Sequence, residues 1–87
     1  MNLKEIRKQL IERDGITCYL CGKKTTTSNR QVEHVVPHAK GGTDDISNLK
    51  IACKVCNRKK GKTNLDDFVH KEIARLERAL ITLKGLL

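Results

Sequence analysis

The sequence predicts a small α+β fold in which a helix lies at each end of the chain and short strands lie between them. Three observations support this fold class: helical spacing of apolar residues near both termini, two short apolar runs in the middle, and four cysteines in two pairs. The chain of 87 residues has the length of one domain, and we assign residues 1–87 to it.

The N-terminal helix is predicted over residues 3–14. Leu3, Ile6 and Leu10 fall on one face at spacings of three and four residues, with charged residues elsewhere. Gly15 follows this segment, and glycine suits the left-handed conformation in which many helices end.

The best strand candidates are residues 31–36 and 49–52, which are short runs rich in apolar side chains. Between them, residues 40–45 contain two adjacent glycines, a threonine and two aspartates, and this composition predicts a loop. These segments belong to a central block, residues 16–64, that holds all four cysteines.

A C-terminal helix is predicted over residues 65–85, with Asn64 as its N-cap. Its apolar positions follow a spacing of 4, 3, 4, 3 and 4, which is typical of a packing seam. The seam residues are Val69, Ile73, Leu76, Leu80, Leu83 and Leu87. The first interpretation is a helix that packs on the N-terminal helix and the central block. The second is a seam shared with another copy of the chain, which would give a homodimer.

The charge of the chain favours a polyanionic partner. Lys and Arg number 18 against 10 acidic residues, for a formal net charge of +8, which suits nucleic acid or an anionic membrane surface. No segment approaches the roughly 20 apolar residues that a membrane-spanning helix needs. Residues 1–10 are charged and lack the apolar core of a signal peptide, so we expect an intracellular protein.

The cysteines form two identical motifs, Cys18-x-x-Cys21 and Cys53-x-x-Cys56. This spacing lets both sulfurs of a pair reach one tetrahedral ion, which predicts a structural zinc site. A thiol redox centre or two disulfides are the alternatives. Aromatic residues make up 2% of the chain, so apolar burial is limited. A structural zinc contributes on the order of 10 kcal/mol to folding and should therefore decide whether this chain folds.

Three polar features accompany the cysteine pairs. Glu33 and His34 lie in the first strand candidate, Asn48 follows the glycine-rich loop, and Asn57 comes directly after Cys56. The stretch EHVVPHAKGGTDD, with the later SNL and CxxCNxxK, resembles the HNH endonuclease motif over residues 18–62. The resemblance implies a ββα-metal fold, in which two antiparallel strands and a helix surround one divalent ion.

The same resemblance implies a role for each polar residue. His34 is the general base, Glu33 and Asn57 are ligands of the catalytic metal, and Asn48 holds the loop and the base in position. The sequence departs from the usual pattern at Glu33, where Asp is commoner, and at Asn57, where His is expected. Both are oxygen donors that suit Mg²⁺ or Mn²⁺. A neutral imidazole with a pKa of roughly 6.5 is a competent base near neutral pH.

Several of these residues have a second interpretation. Asn57 suits a helix cap, and Asn48 suits a purely structural tie within its loop. His38 suits a phosphate contact, a supporting contact to a metal ligand, or an exposed loop position. Adjacent strand residues also point to opposite faces, so Glu33 and His34 serve one site only if the strand bends or ends there.

A basic run follows the second cysteine pair and predicts phosphate binding. It contains Lys54, Arg58, Lys59, Lys60 and Lys62. Phosphate contacts carry no base identity, so we expect a DNA endonuclease with weak sequence preference. Two other functions remain open: a zinc-ribbon protein that binds nucleic acid without cutting it, and an iron-thiolate electron carrier of the rubredoxin type.

Overall fold

The computed structural model describes residues 2–87 and shows the predicted α+β fold. The elements, in chain order, are α1 (Leu3–Asp14), β1 (Arg30–His34), β2 (Leu49–Cys53), α2 (Lys54–Lys60) and α3 (Leu65–Lys84). The two strands form one antiparallel sheet, and two short 3-10 turns lie in the loop between them. Within residues 2–87, no helix has both the length and the apolar character needed to cross a membrane.

Helix α1 packs on β2 and supplies much of the small core. Its first turn is capped by Asn2, and it ends at Gly15, which has a φ of 78°. Leu10 is fully buried and packs with Leu49 and Ile51 of β2. Burial of such side chains is worth about 1.5–3 kcal/mol each, so three of them cannot stabilise the domain alone.

The side chains of β1 point alternately to the two faces of the sheet. Val32 pairs with Ile51, and Val32 packs against the core under α1. Because strand side chains alternate, His34 shares that face and Glu33 points the other way. Strand β2 then runs directly into α2, whose N-cap is Cys53. The α2 helix therefore lies against the Glu33 face of the hairpin.

Helix α3 extends beyond the rest of the molecule. Its bounds agree with the predicted 65–85, and Asn64 occupies the N-cap position, although its side chain makes no capping hydrogen bond. Phe68 is the buried residue of this helix, whereas the seam residues are exposed, from 40% at Val69 to full exposure at Leu87. The expected packing of the seam on α1 and the central block is therefore wrong. A helix of 20 residues is about 30 Å long, more than this two-stranded block can cover.

Candidate functional site

The four cysteines converge at one point of the structure. Cys18 and Cys21 lie in the turn closed by the Thr17–Lys24 bridge, and Cys53 and Cys56 lie where β2 passes into α2. Their sulfur atoms all lie within 4.8 Å of one another, and all four are free thiols rather than disulfides. Sulfurs around a tetrahedral zinc with bonds of about 2.3 Å are roughly 3.8 Å apart. The cysteines are therefore positioned to bind a metal ion.

The thiols of Cys18 and Cys56 have pKa values that are shifted in opposite directions. Burial acts to raise the pKa of the Cys18 thiol, but backbone N–H groups of Cys53, Cys21 and Leu20 outweigh it and lower that pKa to about 7. Burial raises the pKa of Cys56 above its ordinary value, and the neighbouring thiols raise it further. Four adjacent thiolates repel one another, so a cation is needed before all of them lose their protons.

His34 forms a second cluster with two residues of the following loop. Its Nε2 atom lies 2.8 Å from Oδ1 of Asp44, and Nε2 of His38 lies 2.8 Å from the same oxygen. The two imidazole rings are 4.5 Å apart between centroids. Hydrogen bonds from His34 and then His38 hold the pKa of Asp44 below its ordinary value. An ionised carboxylate only accepts, so both rings donate from Nε2.

Asp44 was not among the residues predicted from sequence. The sequence assigned residues 40–45 to a loop, and the only available signal was an acidic pair a few residues after two histidines. His38, for which the sequence left a phosphate contact or an exposed loop position open, is 60% exposed in the loop, and its Nε2 contacts Asp44.

Asn48 closes the loop that carries these residues. Its amide nitrogen donates to the carbonyl oxygens of Val36 at 3.0 Å and Thr43 at 2.8 Å, and its Oδ1 accepts from the Val36 N–H at 3.0 Å. At Gly42 a Cβ atom would lie 1.7 Å from the Val36 carbonyl oxygen, so the close crossing requires glycine. The structure thus places Asn48 as the tie between the start and the end of the loop.

Glu33 lies on the opposite face and is 4% exposed. One carboxylate oxygen accepts from the Lys60 ammonium at 2.9 Å, and the other accepts from the Tyr19 hydroxyl. Burial, together with this bond to Glu33, raises the pKa of Tyr19 above its ordinary value. Tyr19 was not predicted as a site residue, since a lone Tyr between two cysteines carries no recognisable signal.

One expectation needs correction here. Lys60 was expected to contact phosphate, but its side chain is 0% exposed and its ammonium donates to Glu33 and to the His34 carbonyl oxygen. The physical reason is that a buried carboxylate requires an opposite charge, and Lys60 is the cation that α2 brings to it.

Asn57 lies on the same face of the hairpin as Glu33. Its amide nitrogen donates to Oε1 of Gln31 at 2.6 Å, which leaves its own Oδ1 available. Asn57 is inside α2, whose N-cap is Cys53, so the helix-cap interpretation of Asn57 is wrong. The structure therefore groups Glu33 and Asn57 under α2, and it groups His34 with His38 and Asp44 on the loop side, where β1 ends.

The remaining bases of the run form an exposed surface along and just after α2, which we call the α2 basic surface. Its members are Lys54, Arg58, Lys59 and Lys62. Because Lys60 turns inward, the surface has one cation fewer than the sequence predicted.

Known proteins are similar to the part of the chain that contains these residues. Residues 18–73 match the protein-family model described as HNH endonuclease. The chain is 40% identical over 58 residues to the CRISPR-associated endonuclease Cas9 of Corynebacterium diphtheriae, and 34% identical over 59 residues to that of Actinomyces naeslundii. These alignments include 66% and 67% of this chain but 5% of each Cas9, so the chain spans a small part of those relatives.

Two further similarities concern shorter proteins. The chain is 26% identical over 68 residues to Anaredoxin of a Nostoc species, which includes 78% of this chain and 87% of that protein. Its fold resembles a crystal structure of a type II restriction endonuclease, with a TM-score of 0.59 at 21% identity, over 93% of this chain and 42% of the other. Because the family match includes both cysteine pairs and every polar site residue described above, the chain belongs to the HNH endonuclease family.

Proposed function

We propose that this protein is a metal-dependent DNA endonuclease that hydrolyses phosphodiester bonds with His34 as general base. The supporting observation is the pairing of His34 with Asp44 at the end of β1. A neutral imidazole that donates its Nε2–H to a carboxylate keeps its lone pair on Nδ1. That lone pair accepts the proton of the attacking water, and the Asp44 carboxylate stabilises the imidazolium that forms.

The substrate is DNA, held by the α2 basic surface. Lys54, Arg58, Lys59 and Lys62 are exposed next to Asn57 and offer charges for backbone phosphates. No base-reading element is evident on this surface, so the proposal includes weak sequence preference. Two of the relatives are named endonucleases, which supports the reaction class.

Glu33 and Asn57 are the proposed ligands of the catalytic cation. Their oxygen atoms suit Mg²⁺ or Mn²⁺, and such a cation supplies Lewis-acid stabilisation of charge on the phosphate when it is bound. In the described structure Lys60 already neutralises Glu33. A divalent cation therefore has to share this carboxylate with Lys60 or displace its ammonium, and metal affinity should rise when Lys60 is removed.

The four-cysteine cluster is proposed to hold structural zinc. It joins the Cys18 turn to the start of α2, and Asn57 directly follows the last ligand, Cys56. The ion thus positions the helix that carries the proposed catalytic ligand and the α2 basic surface.

The oligomeric state determines the expected product. One active site cuts one strand, so a monomer nicks duplex DNA, and a double-strand break requires two sites. The exposed seam of α3 is the proposed place of pairing between two copies, since its spacing suits helix–helix packing.

The decisive experiment is cleavage of supercoiled plasmid with Mg²⁺ or Mn²⁺ by the wild type and His34→Ala. General-base catalysis contributes about 10²–10⁴-fold, so we expect the variant to lose activity by that factor. His70→Ala is the matched control, because His70 is exposed on α3, outside the loop cluster. Equal rates for the wild type and His34→Ala would contradict the proposal. If the wild type binds DNA without cutting it, the alternative of a zinc-ribbon DNA-binding protein would be supported instead.

A second candidate is a thiolate-metal electron carrier. It is favoured by the similarity to Anaredoxin, which includes most of both chains. Iron instead of zinc in the purified protein, with visible colour that bleaches on reduction, would support it. A colourless protein with one zinc ion per chain would exclude it.

A further inference from the structure

The loop cluster of His34, His38 and Asp44 has the composition of a transition-metal site. Two imidazole nitrogens and one carboxylate oxygen converge, and all three ligand atoms lie within 4.8 Å of one another. The side chains are 30%, 60% and 75% exposed, so the cluster is open to solvent on one side. A site with these properties binds an ion from three protein groups and leaves further positions for water.

We propose that His34, His38 and Asp44 form a second metal site, selective for Zn²⁺ and similar ions, and that its occupation inhibits the nuclease. The site is distinct from the four-cysteine cluster and from Glu33 and Asn57. The inhibitory consequence rests on the proposed role of His34, whereas the metal site itself does not.

The loop holds the three ligands in place before an ion arrives. Asn48 ties Val36, two residues before His38, to Thr43, the residue before Asp44. The N–H of Gly42 donates to the Pro37 carbonyl oxygen at 2.9 Å, and this bond closes the segment between the two ligands. Little conformational entropy is therefore lost when the ion binds.

The distances require only a small adjustment. Each Nε2 lies 2.8 Å from Oδ1 of Asp44, which is a hydrogen-bond distance. Ligand atoms around a tetrahedral zinc, with bonds of about 2.0–2.1 Å, stand roughly 3.3 Å apart. An opening of about half an ångström, within reach of the exposed His38 and Asp44 side chains, makes room for the ion.

The ligand set selects the metal. Imidazole nitrogen favours Zn²⁺, Co²⁺ and Ni²⁺, whereas Mg²⁺ prefers oxygen ligands alone. The reaction cation and the inhibitory cation therefore go to different sites: Mg²⁺ to the oxygens of Glu33 and Asn57, and Zn²⁺ to the loop.

The proton balance explains the inhibition. A neutral imidazole has one protonated nitrogen and one lone pair. When Nε2 of His34 binds the ion, its proton moves to Nδ1, so no lone pair remains to accept a proton from water. The tautomer shift consumes no reagent, and the ring stays neutral.

The binding test uses protein whose four-cysteine site already holds zinc. We would measure a second equivalent of Zn²⁺ by equilibrium dialysis in the wild type, His38→Gln, Asp44→Asn and Asp45→Asn. Asp45 is the matched control, because it is the adjacent exposed carboxylate outside the cluster. We expect the second site to weaken at least tenfold in His38→Gln and Asp44→Asn and to persist in Asp45→Asn. A second site equally tight in all four proteins, or its absence from the wild type, would overturn the proposal.

Imidazole nitrogen NMR gives an independent readout. The Nε2 resonances of His34 and His38 should shift when the second equivalent is added, while those of His70 stay in place as an internal control. If only His70 responds, the proposed ligands are wrong.

The inhibition test uses protein whose four-cysteine site holds zinc, and it compares each protein with its own rate in Mg²⁺ without added Zn²⁺. We expect excess Zn²⁺ to stop plasmid cleavage by the wild type, and His38→Gln to need at least tenfold more Zn²⁺ for the same fractional loss. Zinc binding at the loop without loss of cleavage would overturn the inhibitory role. Absence of cleavage under every metal condition would contradict the nuclease proposal instead, and the dialysis and NMR results would still decide the metal site.

Discussion

The two sides of the β1–β2 hairpin are held by different forces. On the α2 side, four cysteines converge and Glu33 and Lys60 form a buried ion pair. On the loop side, His34 meets Asp44 in a largely exposed cluster that depends on the hydrogen bonds of Asn48. The first side is held by burial and by the convergence of its cysteines, and the second by hydrogen bonds, three of which involve the side-chain amide of Asn48. Substitutions that destabilise the α2 side should therefore also disturb the loop side, whereas substitutions in the loop should have only local effects.

Removal of one cysteine ligand should have the largest effect. A structural zinc contributes on the order of 10 kcal/mol, so we expect Cys56→Ser to be unfolded and inactive. Circular dichroism and zinc content check this prediction. Val55→Ser is the neighbouring control, since Val55 is 61% exposed and should tolerate the change. A folded and fully active Cys56→Ser would show that the loop side does not depend on the four-cysteine cluster.

Loss of the buried cation should come next. Lys60→Met leaves the Glu33 carboxylate buried without its partner, which typically costs about 3–5 kcal/mol in the free energy of unfolding. Urea denaturation measures this cost. Lys59→Met is the control, because Lys59 is exposed on the same helix. The double variant Glu33→Gln with Lys60→Met should recover part of the lost stability, and a further loss would contradict the pairing argument.

Loss of the loop tie should have a smaller and local effect. Asn48→Ala removes three hydrogen bonds from a partly exposed loop, for a cost of about 1–3 kcal/mol. We expect plasmid cleavage to fall while Co²⁺ substituted into the cysteine site keeps its thiolate absorption. Asn48→Asp sharpens the comparison, because it keeps the acceptor and loses the two donations. If the cobalt spectrum changes in Asn48→Ala, the two sides are coupled more tightly than this comparison implies.

The smallest effect concerns the α2 basic surface. Lys59→Gln should lower the slope of log binding constant against log salt concentration by about 1, as expected for one lost phosphate contact. Lys84→Gln, at the far end of α3, should leave the slope unchanged. Fluorescence anisotropy with a short duplex measures both. Equal slopes in the wild type and Lys59→Gln would show that Lys59 makes no phosphate contact.

The sequence predicted the elements well because their signals are local. Helix α1 is marked by apolar spacing and Gly15, and the cysteine cluster is marked by the spacing of its ligands. The burial of Lys60 had no such signal, since a lysine within a basic run looks exposed until its distant partner is known. Asp44 was missed for a related reason: its contact with His34 exists only because the loop folds back between the strands.

By itself, the sequence determined the α+β class and the converging cysteines, because short-range spacing and ligand chemistry suffice for these. Only the tertiary structure decided that Glu33 is paired with Lys60, that His38 shares Asp44 with His34, and that the α3 seam lies open. The first two outcomes depend on contacts between side chains that are far apart in the sequence. The third depends on how much of a helix a two-stranded block can cover. None of them is a property of a single segment.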